Sequence, residues 1–91
     1  MGCEITVPHT MRGQLMLFQH ADALAALAQL QQAGAIILGA DQLRLVGQDG
    51  IQPVDDIDVS AGYKGEPYSA VREFIACRPS DPCVVYELVW N

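Results

Sequence analysis

Basic side chains are scarce in this sequence, and their scarcity argues against one large class of partners. The 91 residues include 5 Lys and Arg against 11 Asp and Glu, so the formal net charge is −6. Nucleic-acid binding depends on cations that neutralise backbone phosphates, and a chain of this charge repels them. The same field attracts a basic protein surface and speeds its encounter with the chain. We therefore expect no nucleic-acid partner and consider a basic protein as the candidate partner.

Long apolar runs are also missing. No stretch of about 18 consecutive apolar residues occurs, so no segment predicts a membrane-spanning helix. The first residues lack the charged and then apolar segments of a secretory signal, and we expect a cytoplasmic protein with no membrane partner. Charged residues make up only 18% of the chain, whereas hydrophobic residues make up 51%. So few charges leave apolar surface uncovered, which favours a partner or a homo-oligomer.

The residues that usually carry catalysis or bind metals are few and badly spaced for either purpose. The sequence contains no CxxC pair among its three cysteines, Cys3, Cys77 and Cys83. The two histidines, His9 and His20, are not spaced as metal ligands with them. A bridge between Cys77 and Cys83 stays open, although free, mostly buried thiols are the simpler interpretation. No nucleophile–base pair or glycine-rich phosphate loop is recognisable. We predict no catalytic residues, no metal site, no cofactor and no enzymatic activity.

Two helices are predicted from the apolar spacing. Residues 22–33 carry leucines at helical intervals, with Asp22 as the expected N-cap and Gly34 as the residue that ends the helix. Residues 67–77 form the second helix, because Pro67 suits a first helical position.

Strands are predicted in the remaining apolar segments, and periodicity leaves residues 14–19 open between strand and helix. The expected strands are residues 3–7, 35–38, 42–46, 51–54 and 83–90, with alternation resuming up to Val59. Gly39-Ala40-Asp41 is expected to form a turn fixed by the Asp41 side chain, and Asp49-Gly50 a hairpin turn. The last strand is apolar apart from Glu87, so we expect it inside the sheet. The chain is thus predicted to be one α+β domain over residues 1–91, with two helices packed on one face of a mainly antiparallel sheet of about five or six strands.

An acidic segment is the most visible feature of the sequence. Asp55, Asp56 and Asp58 follow the predicted hairpin, and Tyr63 lies shortly after them. These aspartates lack the regular offsets of a calcium loop, so we expect no ion there. We predict that residues 49–66 form a surface turn region and that Asp55, Asp56, Asp58 and Tyr63 bind a basic partner. A solvated loop without a partner is the alternative.

Several segments together resemble a family of small bacterial immunity proteins that are encoded beside polymorphic toxins. The resemblance covers residues 22–90, and its segments are the Leu-Gly-Ala-Asp turn at 38–41, the hairpin at 49–53, the acidic segment at 54–57, the helix at 65–75 and the last strand at 85–89. Two residues depart from the pattern, because Ala40 stands where the family has a second glycine and Ile57 where it has an aromatic residue. The resemblance implies an acidic domain that neutralises a cognate toxin by occluding a basic surface.

A second hypothesis belongs to a different class. The low charge content and the apolar last strand are also typical of a homo-oligomeric small domain of unknown function with a structural or small-ligand-binding role. Such a protein could be an orphan carried on a mobile genetic element.

Overall fold

The computed structural model describes residues 5–91 as two helices and five strands in two antiparallel sheets. In chain order the elements are β1 (Thr10–Arg12), β2 (Leu15–Leu17), α1 (His20–Gln32), β3 (Ile37–Val46), β4 (Gly50–Asp58), α2 (Pro67–Ala76) and β5 (Val84–Trp90). The predicted α+β class is confirmed. The five strands are divided between a three-stranded sheet and a separate hairpin, and do not form the single sheet expected from the sequence.

The larger sheet has β3 at its centre, with β4 on one side and β5 on the other. The Arg12 side chain of β1 donates to the Gly50 carbonyl at 2.6 Å. The backbone link between the larger sheet and the hairpin of β1 and β2 is Phe18, whose amide donates to the Tyr86 carbonyl at 2.9 Å and whose carbonyl accepts the Tyr86 amide at 2.8 Å. Consequently β5 is an outer strand of the three-stranded sheet, with Phe18 attached to its far edge. The expectation that the last strand lies inside the sheet was therefore wrong for most of its length.

The predicted turn at residues 39–41 is also wrong, because these residues continue β3 without a break. Gly39 pairs with Asp58 on one side and with Val89 on the other. A Cβ at Gly39 would lie 2.4 Å from the carbonyl oxygen of Ile57, so this glycine permits a close approach of β4. Hydrogen bonding on both sides of the strand outweighs the local turn preference of Gly-Ala-Asp.

One hydrophobic core joins both helices to the same side of the sheet. From α1 it takes Ala23, Ala26, Leu27 and Leu30, from α2 Tyr68, Val71 and Ile75, and from the sheet Ile37, Ala40, Val84, Tyr86 and Leu88. The Tyr68 hydroxyl donates to the carbonyl oxygen of Ala35 at 2.6 Å, which links α2 to the start of β3. We call this side of the sheet the helix-facing side.

The opposite side of the sheet is covered only in part. Leu17 of the hairpin packs on Leu43 and Val85 in a second, smaller cluster. Leu15, Leu45 and Ile51 are partly buried around it. The hairpin is short, so it covers one end of this side and leaves the other end open. We call this side the outer side.

The element boundaries depart from the sequence expectations in a few places. Residues 14–19 contain strand β2, residues 5–7 of the predicted first strand are not in a strand, and residues 3 and 4 lie outside the described residues. The first helix begins at His20 after Gln19, so Asp22 lies in its first turn and is not the N-cap. Gly34 takes a φ of 78° after this helix, as expected. Cys77 and Cys83 are free and exposed, which corrects the expectation of buried thiols.

Replacing Gly39 tests whether the close approach of β4 holds the central strand in place. Gly39→Ala should lower the free energy of unfolding by about 1–3 kcal/mol, because the added carbon meets the Ile57 backbone. Urea denaturation measures the change. As a control, Gly34→Ala meets no atom within 4 Å and introduces strain from its positive φ alone. An unchanged urea midpoint for Gly39→Ala would contradict the close approach.

Candidate functional site

The open end of the outer side carries a row of carboxylates that crosses all three strands. Asp41 of β3 is directly opposite Asp56 of β4 and Glu87 of β5. Residues directly opposite each other in an antiparallel pair project from the same face, and like charges in such pairs destabilise a sheet. The row is therefore a feature that the stability of the fold does not explain.

Concave surface surrounds this row. A cavity of about 430 Å³ is lined by the carboxylates Asp41, Asp55, Asp56 and Glu87 together with the apolar side chains of Leu15, Leu43, Ile51, Pro53 and Val54. A neighbouring concavity of about 330 Å³ shares Asp41 and Asp56 and extends to Leu38, Asp58 and Val89. We call this combined surface the acidic groove. Four of its carboxylates, Asp41, Asp56, Asp58 and Glu87, belong to the outer side of the sheet, and Asp55 borders it at the edge. None of the described residues that line it is basic.

The carboxylates of the acidic groove differ in their proton affinity. Burial raises the pKa of Glu87, and a hydrogen bond to Asp41 and the charge of Asp41 raise it further. The pKa of Asp58 is lowered by hydrogen bonds from Ser60, whose amide donates to Oδ1 of Asp58 at 2.9 Å. The raised pKa means that Glu87 takes up a proton more readily than a free glutamate does, whereas the lowered pKa of Asp58 favours its ionised form.

Asp55 lies on the other side of β4, where it is already paired. Nη2 of Arg78 contacts Oδ2 of Asp55 at 2.5 Å, and Nε of Arg78 donates to Oε1 of Gln42 at 2.9 Å. The Arg78 guanidinium also lies 3.8 Å from the centre of the Phe74 ring. Asp55 therefore ties β4 to the end of α2, and its charge is balanced within the chain.

Tyr63 lies on the helix-facing side of β4. A shallow concavity of about 320 Å³ separates β4 from α2, and its lining includes Ile57, Tyr63, Ala70 and Phe74. We call it the α2–β4 groove. The Tyr63 side chain is 40% exposed there.

The four residues predicted from the sequence therefore do not form one patch, because their side chains are divided between the two faces of the sheet. Asp56 and Asp58 belong to the acidic groove and Tyr63 lies on the helix-facing side. Asp55 borders the acidic groove, but Arg78 holds its carboxylate on the helix-facing side. The prediction of a surface turn region over residues 49–66 is wrong for β4 itself, because that segment is an exposed edge strand. Its alternation sends neighbouring side chains to opposite faces.

Sequence reasoning missed Asp41 and Glu87 as members of the site. The local sequence places Asp41 in a turn and shows Glu87 as the one charged residue of an apolar strand. A single carboxylate in such a strand was the available signal, because an acid there needs a partner or a solvent-facing position. That Asp41 and Asp56 lie beside Glu87 follows only from the register of β3 with β4 and β5.

The described residues offer no arrangement for metal chemistry. Within residues 5–91 no group of three or more His, Cys, Asp or Glu side chains is placed to hold a metal ion. None of the helices in this range is long and apolar enough to cross a membrane. Comparisons of the chain with protein-family models, curated proteins and solved structures find no match.

The stability of the chain should depend on pH through Glu87. Its pKa in the folded chain lies above the ordinary value of 4.5, so the folded state holds this proton more tightly than the unfolded state does. The free energy of unfolding therefore falls as pH rises from the pKa of Glu87 in the unfolded chain to its pKa in the folded chain. Below both pKa values Glu87 is neutral in either state and costs no stability. Glu87→Gln should raise the unfolding midpoint at neutral pH by a few degrees, corresponding to about 0.5–1 kcal/mol.

Thermal unfolding of Glu87→Gln and the parent chain across acidic and neutral pH checks this expectation. The gain should shrink toward the acidic end, where the parent Glu87 is already neutral. Glu73→Gln on the exposed surface of α2 is the matched control and should show little change at any pH. A gain in stability of the same size at every pH would contradict the explanation that the ionised Glu87 carboxylate destabilises the parent chain.

Proposed function

We propose that this chain is a non-enzymatic protein-binding domain whose acidic groove receives a basic surface of a partner protein. The observation that carries the proposal is the row of three directly opposed carboxylates, Asp56, Asp41 and Glu87. A Lys or Arg from a partner would relieve the repulsion within this row. The free chain would thus bear an electrostatic cost that the complex removes.

The apolar walls of the acidic groove support the same proposal. Leu15, Leu43 and Val54 border the carboxylates at one end, and Leu38 and Val89 border them at the other. A long cationic side chain packs its methylene stem on apolar surface while its charged end meets the acids. Interfaces of this kind combine apolar anchors with charges that steer the encounter.

Within this class, we propose the role of an immunity protein that neutralises a cognate toxin in the cytoplasm. The support is the resemblance of residues 22–90 to that family. Both departures border the smaller concavity of the acidic groove, although Ala40 is buried in the core and Ile57 packs against that core from β4. Tyr63 supplies an exposed aromatic ring next to Ile57. The free thiols of Cys77 and Cys83 agree with a reducing compartment.

The test is co-expression with the product of the neighbouring gene in the source genome. If that product arrests growth, this chain should restore growth and bind it. Asp56→Asn combined with Glu87→Gln should weaken binding by about tenfold or more and reduce its salt dependence, since each removed charge loses a cationic partner. Calorimetric titration at two salt concentrations measures both effects.

The matched control removes two negative charges elsewhere. Asp49→Asn combined with Asp22→Asn changes the net charge equally but touches none of the carboxylates of the row and no residue that lines the two grooves. This control should bind like the parent chain. Equal affinity of the parent and the groove variant would remove the acidic groove from the proposal.

A homo-oligomer is the second candidate, and the exposure of large apolar side chains favours it. Six of them are at least 39% exposed, namely Met11, Ile36, Val46, Val54, Tyr63 and Val89. Exposed apolar surface of this kind is typical of an interface when it is contiguous. Sedimentation analysis should then show a dimer or larger species, and a monomer at high concentration would contradict this candidate.

A further inference from the structure

The outer edge of β4, the edge that faces away from β3, is a second feature of this part of the molecule. Among the described residues β4 pairs with β3 and with no other strand. The Val59 amide donates to the Leu38 carbonyl at 2.9 Å, so alternation directs the backbone of Asp56 and Asp58 away from β3. Pro53 lies in the same edge strand beside a bulge, where proline is tolerated. The edge therefore presents backbone groups in the arrangement that accepts another strand.

The two grooves lie on opposite sides of this edge. The acidic groove presents Asp56 and Asp58 on the outer side, and the α2–β4 groove presents Ile57, Tyr63 and Phe74 on the helix-facing side. Successive side chains of a strand point to opposite faces of its sheet. An added strand would therefore place every second side chain beside the aspartates and the others beside the α2–β4 groove, whose lining includes Ile57, Tyr63 and Phe74.

We propose that an extended segment of the partner, in which basic and apolar residues alternate, adds to the sheet as a new strand beside β4. Its Lys or Arg side chains lie opposite Asp56 and Asp58, and its apolar side chains enter the α2–β4 groove. Main-chain hydrogen bonds to the edge supply affinity, and the two rows of side chains supply specificity. This inference rests on the proposed function, because it specifies how a basic partner engages the chain.

Charge complementarity selects a basic partner segment over a second copy of this chain. Two copies paired along β4 would bring Asp55, Asp56 and Asp58 of one copy against the same acidic strand of the other, and opposed like charges destabilise such a pair. Oδ1 of Asp55 also accepts the Asp56 amide at 2.9 Å, which occupies one donor of the edge in the free chain. A partner carbonyl would replace this carboxylate, while the chain's own Arg78 continues to hold Asp55 through Oδ2.

The experiment uses a short blocked peptide in which Lys and Val alternate, and a second peptide of the same composition with its lysines in one block. The alternating peptide should bind the whole chain at least tenfold more tightly than the block peptide. Hydrogen exchange followed by NMR should show the Asp58 amide slowed by at least tenfold on binding. Affinity and exchange are measured at the same low salt concentration.

Two variants at one position separate the backbone from the charge. Asp56→Asn removes the carboxylate and should reduce the affinity several-fold, whereas Asp56→Pro also removes the outward amide and should reduce it by a further factor of ten. Circular dichroism and thermal unfolding establish that each variant is folded. If Asp56→Pro does not fold, the exchange measurement on the parent chain still decides between the outcomes.

Each result has a distinct meaning. Equal affinities for the two peptides, with NMR changes confined to Asp41, Glu87 and their neighbours, would overturn strand addition and leave the acidic groove as the binding site. Failure of both peptides and of the neighbouring gene product to bind would remove the proposed function as well. A dimer of the chain that protects the β4 amides would also overturn the inference, because the edge would then be occupied by a second copy.

Discussion

The backbone of β3 bonds to β4 on one side and to β5 on the other, and this double pairing determines where the remaining elements lie. It requires an unbroken strand at residues 39–41, which Gly39 permits by letting the Ile57 carbonyl approach. The register that follows brings Asp41 between Asp56 and Glu87. Because the residues of the row come from three strands, their distance in sequence has no bearing on their proximity in space.

The two faces of the sheet are covered unequally, and the difference produces the site. Both helices bury the helix-facing side, whereas a short hairpin covers only one end of the outer side. The uncovered end collects four carboxylates between apolar walls. Like charges that lie directly opposite each other lower the stability of the isolated chain, and the burial of the helix-facing side compensates for this cost.

Arg78 connects the edge strand β4 to the rest of the molecule. Its guanidinium contacts Asp55 of β4, Gln42 of β3 and the Phe74 ring of α2, so one side chain joins an edge strand, the central strand and a helix. The exposed β4 is therefore held in a defined position relative to α2. A preorganised edge loses little conformational freedom when a partner binds, and this favours affinity.

Local sequence signals determined both helices to within a few residues, the hairpin turn just before Gly50 and the acidity of β4. They depend on caps, turn residues and periodicity, which act between near neighbours in the chain. Only the tertiary structure decided that Gly39-Ala40-Asp41 continues a strand, that Asp55 pairs with Arg78, and that Asp41 and Glu87 join Asp56. Each of these follows from register and packing between distant segments, and hydrogen bonding along two neighbouring strands outweighs the local preference of three residues for a turn.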